Sequence, residues 1–228
     1  MSKSYHSVLL SCCQCPLGTY LQGGHGAEHI VLAHGSGVGM RHDFMQRQAD
    51  ALIKEGFTVS LFDYAYMQTI HTTGRRRPPA RLPQLLQEHR QWLDLLTQGR
   101  PVWLMGKSMG GRLSSMLAQE SLPQQVKGWC ALGYPFHPPN KPAQLRVEHL
   151  LKNCRPGLVI QGDRDAMGKP EKVVSLQLPE SIELRWLTHM DHGFNPYKQA
   201  PLSQQQAIEQ SAKWFKQWTR LTEAASRV

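Results

Sequence analysis

The chain has 228 residues, with 26 Lys and Arg against 17 Asp and Glu, giving a formal charge of +9. Hydrophobic residues make up 40% and charged residues 19%, a balance that excludes a disordered chain. No apolar run approaches the roughly 18 residues that a membrane-spanning helix needs. A folded chain of this size exposes roughly 10,500 Å² of the roughly 37,000 Å² open when unfolded, so it buries a core without metal or disulfide support.

Met1 to Cys12 carries Val8-Leu9-Leu10 as its one apolar run, whereas a leader-peptide core needs about 7–15 such residues. The expectation is a cytoplasmic protein without a leader. The five cysteines agree, because an odd count with Cys12, Cys13 and Cys15 crowded together reads as reduced thiols. A zinc site there lacks a second CxxC or HxxxH partner at usable spacing. Residues 1–29 are expected to form an antiparallel strand pair at a sheet edge.

Ile30-Val31-Leu32-Ala33 is a strand, ending at His34-Gly35-Ser36-Gly37. A helix is predicted from Asp43 to Glu55, with Phe44, Ala49 and Leu52 on its apolar side and Gly56 as its stop. Phe57 to Phe62 reads as a strand by its β-branched and aromatic content. Residues 64–80, containing Arg75-Arg76-Arg77-Pro78-Pro79, read as loop. An amphipathic helix from Leu82 to Leu96 follows, and Pro101 precedes the strand Val102 to Met105.

The second half repeats the alternation. Ser108 to Gln119 reads as helix, Gly128 to Gly133 as strand, and Pro135 to Lys141 as a proline-rich loop. Short helices are predicted at Ala143–Lys152 and Lys169–Ser175, around the strand Gly157 to Gln161. Ile182 to Leu187 alternates apolar and polar residues, as a strand near a sheet edge does. Ala207, Ser211, Trp214, Trp218 and Leu221 form one stripe of a closing helix. The expected architecture is one α/β domain over residues 1–228, with a mostly parallel sheet of about seven or eight strands flanked by helices on both faces.

The sharpest chemical feature is Gly106-Lys107-Ser108-Met109-Gly110-Gly111, which follows an apolar strand and opens a helix. A strand-turn-helix elbow needs small residues two before and two after its serine, and Gly106 and Gly110 supply them. The Met109 N–H then lies at a helix N-terminus, where orphan donors favour a developing negative charge. GKS also ends a phosphate-binding loop, but that motif needs glycine at position 101, which is Pro101.

A nucleophilic serine needs an acid and a histidine, in that chain order for this fold. Gly162-Asp163-Arg164-Asp165 follows one strand, and His189-Met190-Asp191-His192-Gly193-Phe194 follows the next. Ligand and catalytic groups of open α/β sheets gather beyond the carboxyl ends of the strands. Ser36, at the end of the first strong strand, is the choice for a second oxyanion donor, since small residues let the backbone come close. His34 reads as a structural hydrogen-bonding residue.

HGSG, GKSMGG, GDRD and DHGF together resemble the α/β-hydrolase superfamily, especially its compact, dienelactone-hydrolase-like members, over roughly residues 28–220. GKSMGGR with LGYPFHPP and Lys141-Pro142 further resembles a small hydrolase-like family. That family includes a testis-expressed protein and a subunit of the nonspecific-lethal histone acetyltransferase complex. The resemblance implies Ser108 as nucleophile, His192 as base and Asp165, rather than Asp163, as acid, with no cofactor and no metal. His189 and Asp191 are read as solvated or supporting. Many hydrolases insert a lid after the sixth strand; here Tyr134 to Leu150 spans about 17 residues stiffened by four prolines, so no lid domain is expected.

Tyr134, Phe136 and His137 are candidates for lining the site, with loop packing as the alternative. The implied function is hydrolysis of small-molecule, carboxylester-type substrates; a hydrolase-like interaction protein, with a protein partner, is the alternative from another class. The charge excess points to an acidic substrate or a polyanion. No nucleic-acid module and no aromatic residues accompany Arg75-Arg76-Arg77, so a nucleic-acid partner is not expected.

Overall fold

A computed structural model describes residues 5–97, 99–152 and 155–225. Residues 1–4 of the N-terminal segment and Cys154, one of the five expected thiols, lie outside the described residues. The described strands form one eight-stranded sheet. They are β1 (Ser11–Cys15), β2 (Gly18–Gly23), β3 (His29–Ala33), β4 (Thr58–Phe62), β5 (Val102–Lys107), β6 (Val126–Leu132), β7 (Gly157–Gly162) and β8 (Ile182–Leu187). Their spatial order is β1-β2-β4-β3-β5-β6-β7-β8. The six strands from β4 to β8 are parallel, while β1 and β2 add an antiparallel pair at one edge. The architecture is α/β, a mostly parallel sheet flanked by helices on both faces.

The helices are α1 (Asp43–Lys54), α2 (Ala65–Thr73), α3 (Leu82–Thr97), α4 (Met109–Leu117), α5 (Pro170–Val174) and α6 (Gln204–Ala225). Alternate strand residues face two separate cores, as the period of two requires. Ile30, Leu32, Trp103, Met105, Leu158 and Ile160 pack with α1 and α6. Val31, Ala33, Leu104, Ala131 and Val159 pack with α2, α3 and α4 on the other face. Strands buried on both faces read as continuous apolar runs, which is what made them visible in the sequence.

Three expectations change. Residues 65–73 of the presumed loop are helix α2; only Tyr66 and Met67 are buried there, and the run Thr69, Ile70, Thr72, Thr73 weakens helix propensity. Tertiary bonds hold it instead, with Gln68 Nε2 donating to Leu17 O at 3.1 Å and Asp63 O at 2.9 Å. The helix expected at Ala143–Lys152 is a single 3₁₀ turn at Leu150–Lys152, because Arg146 N donates to Phe136 O at 2.8 Å and draws the chain across the loop. The buried stripe of α6 centres on Ala207, Ile208, Ser211, Ala212, Phe215 and Trp218; Trp214 is half-buried and Leu221 is exposed.

Crossing from β4 to β5 passes over β3, so connections diverge to either side there. Ligands of open α/β sheets bind at such a switch point. Ala33 pairs with Gly106 in the ladder, so the loops leaving β3 and β5 emerge side by side.

Candidate active site

At the end of β5 the chain reverses direction through one residue. Ser108 has φ 51° and ψ −113°, a region that costs a non-glycine residue about 1–3 kcal/mol. The surroundings hold it there. Ser108 N donates to Leu132 O at 3.0 Å, and Arg112 N donates to Ser108 O at 3.0 Å to start α4. A Cβ on Gly106 would run into the Gly110 carbonyl carbon, and one on Gly110 would lie 2.5 Å from Ala33 O. The elbow is therefore built from backbone contacts at both positions where the sequence demanded small residues.

His192 reaches this serine from the far side of the sheet end. Its Nε2 lies 2.8 Å from Ser108 Oγ, and its Nδ1 lies 2.7 Å from Asp165 Oδ2. The network assigns the tautomer: Nδ1–H donates to the carboxylate, leaving Nε2 to accept from the hydroxyl. Asp165 is fully buried. Its Oδ2 also accepts from Gln161 Nε2 at 2.7 Å, and its Oδ1 accepts from Met167 N at 2.8 Å. Asp163 points elsewhere, its nearest cation being Arg164 at 4.0 Å. The structure thus joins Ser108, His192 and Asp165 and leaves Asp163 apart.

The His192 loop is fastened on each side. Asp191 Oδ1 accepts from Gly193 N at 2.7 Å and Asn195 N at 2.8 Å, closing a tight turn. His189, with φ 54°, accepts at its carbonyl from Tyr197 N at 2.9 Å. Arg164 N donates to Met190 O at 2.9 Å, tying the acid loop to the histidine loop. From beneath, Lys107 Nζ donates to His192 O at 2.6 Å. Burial pushes Lys107 down to about 8, against the pull of Asp165 and Asp191. Gly133 has φ +67°, and a Cβ on it would sit 2.8 Å from Lys107 Nζ and 2.9 Å from His192 O.

Lys107 and Gln161 were not singled out from sequence. Each is a polar residue closing an otherwise apolar strand, at VWLMGK and GLVIQG, and that mismatch is the signal that points to them. Gln161 is fully buried, and its Oε1 also accepts from Tyr134 N at 2.7 Å.

On the other side of Ser108 stands the loop after β3. His34 is buried and held neutral, its pKa lowered chiefly by desolvation. Its Nδ1–H donates to Gly35 O at 2.6 Å, and its Nε2 accepts from Tyr64 N at 3.2 Å, a structural role as expected from sequence. Tyr66 Oη donates to Ser36 O at 3.0 Å, which fixes that residue beside the elbow.

Ser36, Ser108, Met109 and His192 share the lining of one cavity of about 490 Å³. A second cavity of about 570 Å³ adjoins it at Pro139, Met167 and His192 and carries His137, Asp165, Lys169 and Lys172. Tyr134 and Phe136 are fully buried and stand behind these walls. Tyr134 Oη donates to Arg146 O at 2.8 Å, and Phe136 lies against Gly168.

Residues 26–220 match the family model described as "Alpha/beta hydrolase domain". No curated protein matches the sequence significantly. Among solved structures, the chain is similar to an alpha-beta serine hydrolase homologue from Coxiella burnetii, at TM-score 0.65 and 15% identity over 93% of this chain and 98% of that one. A dienelactone hydrolase from Anabaena variabilis gives TM-score 0.66 and 20% identity over 91% and 97%. A serine hydrolase without lid from Xanthomonas campestris gives 0.61 and 17% over 92% and 96%. At such identities the likeness is one of fold.

Proposed function

Because the chain belongs to the alpha/beta hydrolase family, we propose that it is a serine hydrolase of carboxylester-type bonds, working through Ser108, His192 and Asp165. The observation that carries this reading is the unbroken relay of 2.8 Å and 2.7 Å contacts from hydroxyl through imidazole to buried carboxylate. Ser108 Oγ attacks the ester carbonyl while His192 Nε2 takes its proton. Asp165 holds the imidazole in place and stabilises the imidazolium. Gln161 and the Met167 N–H hold that carboxylate in its orientation toward His192.

The N–H groups of Met109 and Ser36 receive the oxyanion, supported by the helix start at Met109 and by Tyr66 fixing Ser36. His192 returns its proton to the departing alcohol, and water attacks the acyl-enzyme by the same route in reverse. Each step uses groups of the chain itself.

The free thiols of Cys12, Cys13, Cys15 and Cys130 support a cytoplasmic setting. Among the described residues, no helix is long and apolar enough to cross a membrane. The narrower kinship, to the family that holds the testis-expressed protein, rests on GKSMGGR, LGYPFHPP and Lys141-Pro142.

A fluorophosphonate probe tests the reading. The wild type is expected to be labelled at Ser108 and to hydrolyse a short p-nitrophenyl ester, and Ser108→Ala to lose both. Labelling that persists in the variant would sink the assignment, and a wild type that neither is labelled nor hydrolyses the ester would favour the interaction-protein alternative.

A further inference from the structure

The cavity beside Ser108 holds two arginines that the hydrolytic steps do not use. Arg112 lies one helical turn past Ser108 on α4, an i, i+4 spacing that puts both residues on one face of the helix. Its Nε is buried and has no hydrogen-bond partner. Arg146, from the loop after β6, lines the same cavity. Its backbone is clamped at both ends of the residue: its N donates to Phe136 O at 2.8 Å and its O accepts from Tyr134 Oη at 2.8 Å. The stiff proline-rich loop therefore presents this side chain to the cavity in a fixed place.

No Asp or Glu is among the cavity's lining residues. Among the described residues, neither arginine takes part in an ion pair. Their fields overlap. Burial and then the Arg112 charge lower Arg146, and burial with the same Arg112 charge holds His149 down at about 4. His149 is thus neutral at pH 7 and adds no third positive charge. Two half-buried cations in one cavity without an anion are unfavourable, and an anionic ligand relieves both desolvation and repulsion.

The remaining wall is apolar, from Pro79, Leu82, Leu113 and Met167, and suits a short methylene chain. Orientation follows from the relay. The proposed oxyanion donors at Ser36 and Met109 belong to this cavity, so the acyl group lies here. The alcohol must leave beside His192, toward the adjoining cavity of Lys169 and Lys172.

We propose that the substrates are half-esters of short dicarboxylic acids, whose free carboxylate is held by Arg112 and Arg146 while the esterified carboxyl faces Ser108. This rests on the serine-hydrolase reading and narrows it to one acyl class. Cleavage follows the same balance of atoms: the acyl C–O bond to the alcohol breaks, the Ser108 Oγ–C bond forms, and water then releases the dicarboxylic acid. The exposed Arg75-Arg76-Arg77 run leads directly into Pro79 and Ala80 at the cavity and supplies a field that draws such anions in.

The test compares kcat/KM for the p-nitrophenyl half-ester of glutaric acid with that for neutral p-nitrophenyl valerate. The wild type is expected to favour the charged ester at least about tenfold, as charge-assisted hydrogen bonds allow. In the double variant Arg112→Gln, Arg146→Gln, that ratio should fall at least about tenfold. Lys127→Gln, which removes a positive charge at the exposed position of β6, should leave the ratio alone. Protection gives a second readout that needs no variant: glutarate should slow fluorophosphonate labelling of the wild type, and neutral butyramide should not. A wild type that prefers valerate, a ratio insensitive to the double variant, or labelling that glutarate does not slow would overturn the inference while leaving the hydrolase reading standing. Absence of Ser108 labelling altogether would instead remove the reading beneath it.

Discussion

Replacing Lys107 by methionine separates what the buried amine costs the fold from what it gives the site. The lysine's ordinary value is 10.5, and burial brings it to about 8 in the folded protein. Between those values the unfolded chain binds the proton and the folded chain does not. Stability therefore rises with pH across that window, and below about pH 8 the folded protein bears the full cost of a buried cation. The difference amounts to about 3 kcal/mol at roughly 1.4 kcal/mol per pH unit, of which roughly 2 kcal/mol is recovered between about pH 7.5 and pH 10.

Methionine keeps the stem and removes the charge. It also removes the 2.6 Å bond to His192 O, a charge-assisted contact of about 1.5–3 kcal/mol. The two changes nearly cancel near neutrality, so Lys107→Met should lie within about 1 kcal/mol of wild type at pH 7. Urea unfolding over a pH series is the assay. Wild-type stability should gain roughly 2 kcal/mol on the variant between about pH 7.5 and pH 10, while the variant's kcat/KM falls about 10²-fold because His192 is less well placed. Parallel stability curves would refute the buried-cation argument. An unchanged kcat/KM would refute the role given to the amine in holding His192.

Three further substitutions probe the frame. Gly133→Ala imposes a side chain at φ +67° and drives it into Lys107 Nζ and His192 O; a loss of about 1–3 kcal/mol in urea unfolding and about 10²-fold in kcat is expected. Asp165→Asn should lower kcat about 10³–10⁴-fold on a p-nitrophenyl ester. Asp163→Asn should stay within about threefold, and the reverse pattern would exchange their roles.

The elements legible in sequence were those whose burial is uniform. β3, β5 and β7 are covered on both faces and appear as unbroken apolar runs, and α1 carries its stop at Gly56. Helix α2 was not legible, because bonds to Leu17 and Asp63, distant or outside its own pattern, hold it rather than an apolar stripe. Ser108, Asp165 and His192 were readable as candidates because each lies in the turn that follows a strand. The choice between Asp163 and Asp165 depends on which carboxylate the turn after β7 aims inward, and it becomes geometric only when Gln161 and Met167 N are seen to hold Asp165. The support from Lys107 could not be read, since its partner is a carbonyl 85 positions away.

Gly106, Gly133 and Gly162 share a property with consequences for how such a chain can change. A Cβ at any of them meets main-chain atoms of the reacting loops: the Gly110 carbonyl, His192 O, or the carbonyls of Met190 and Asp191. These main-chain atoms cannot yield by changing rotamer, so substitution displaces a strand end or a loop. The cavity walls at Leu82, Pro139 and Met167 are instead made of side chains carried outside the sheet. Variation is thus partitioned within one small molecule. The loops that carry Ser108 and His192 are fixed by backbone contacts, where mutation has little room, whereas the cavity walls are side chains that substitution can revise without disturbing the Ser108–His192–Asp165 contacts.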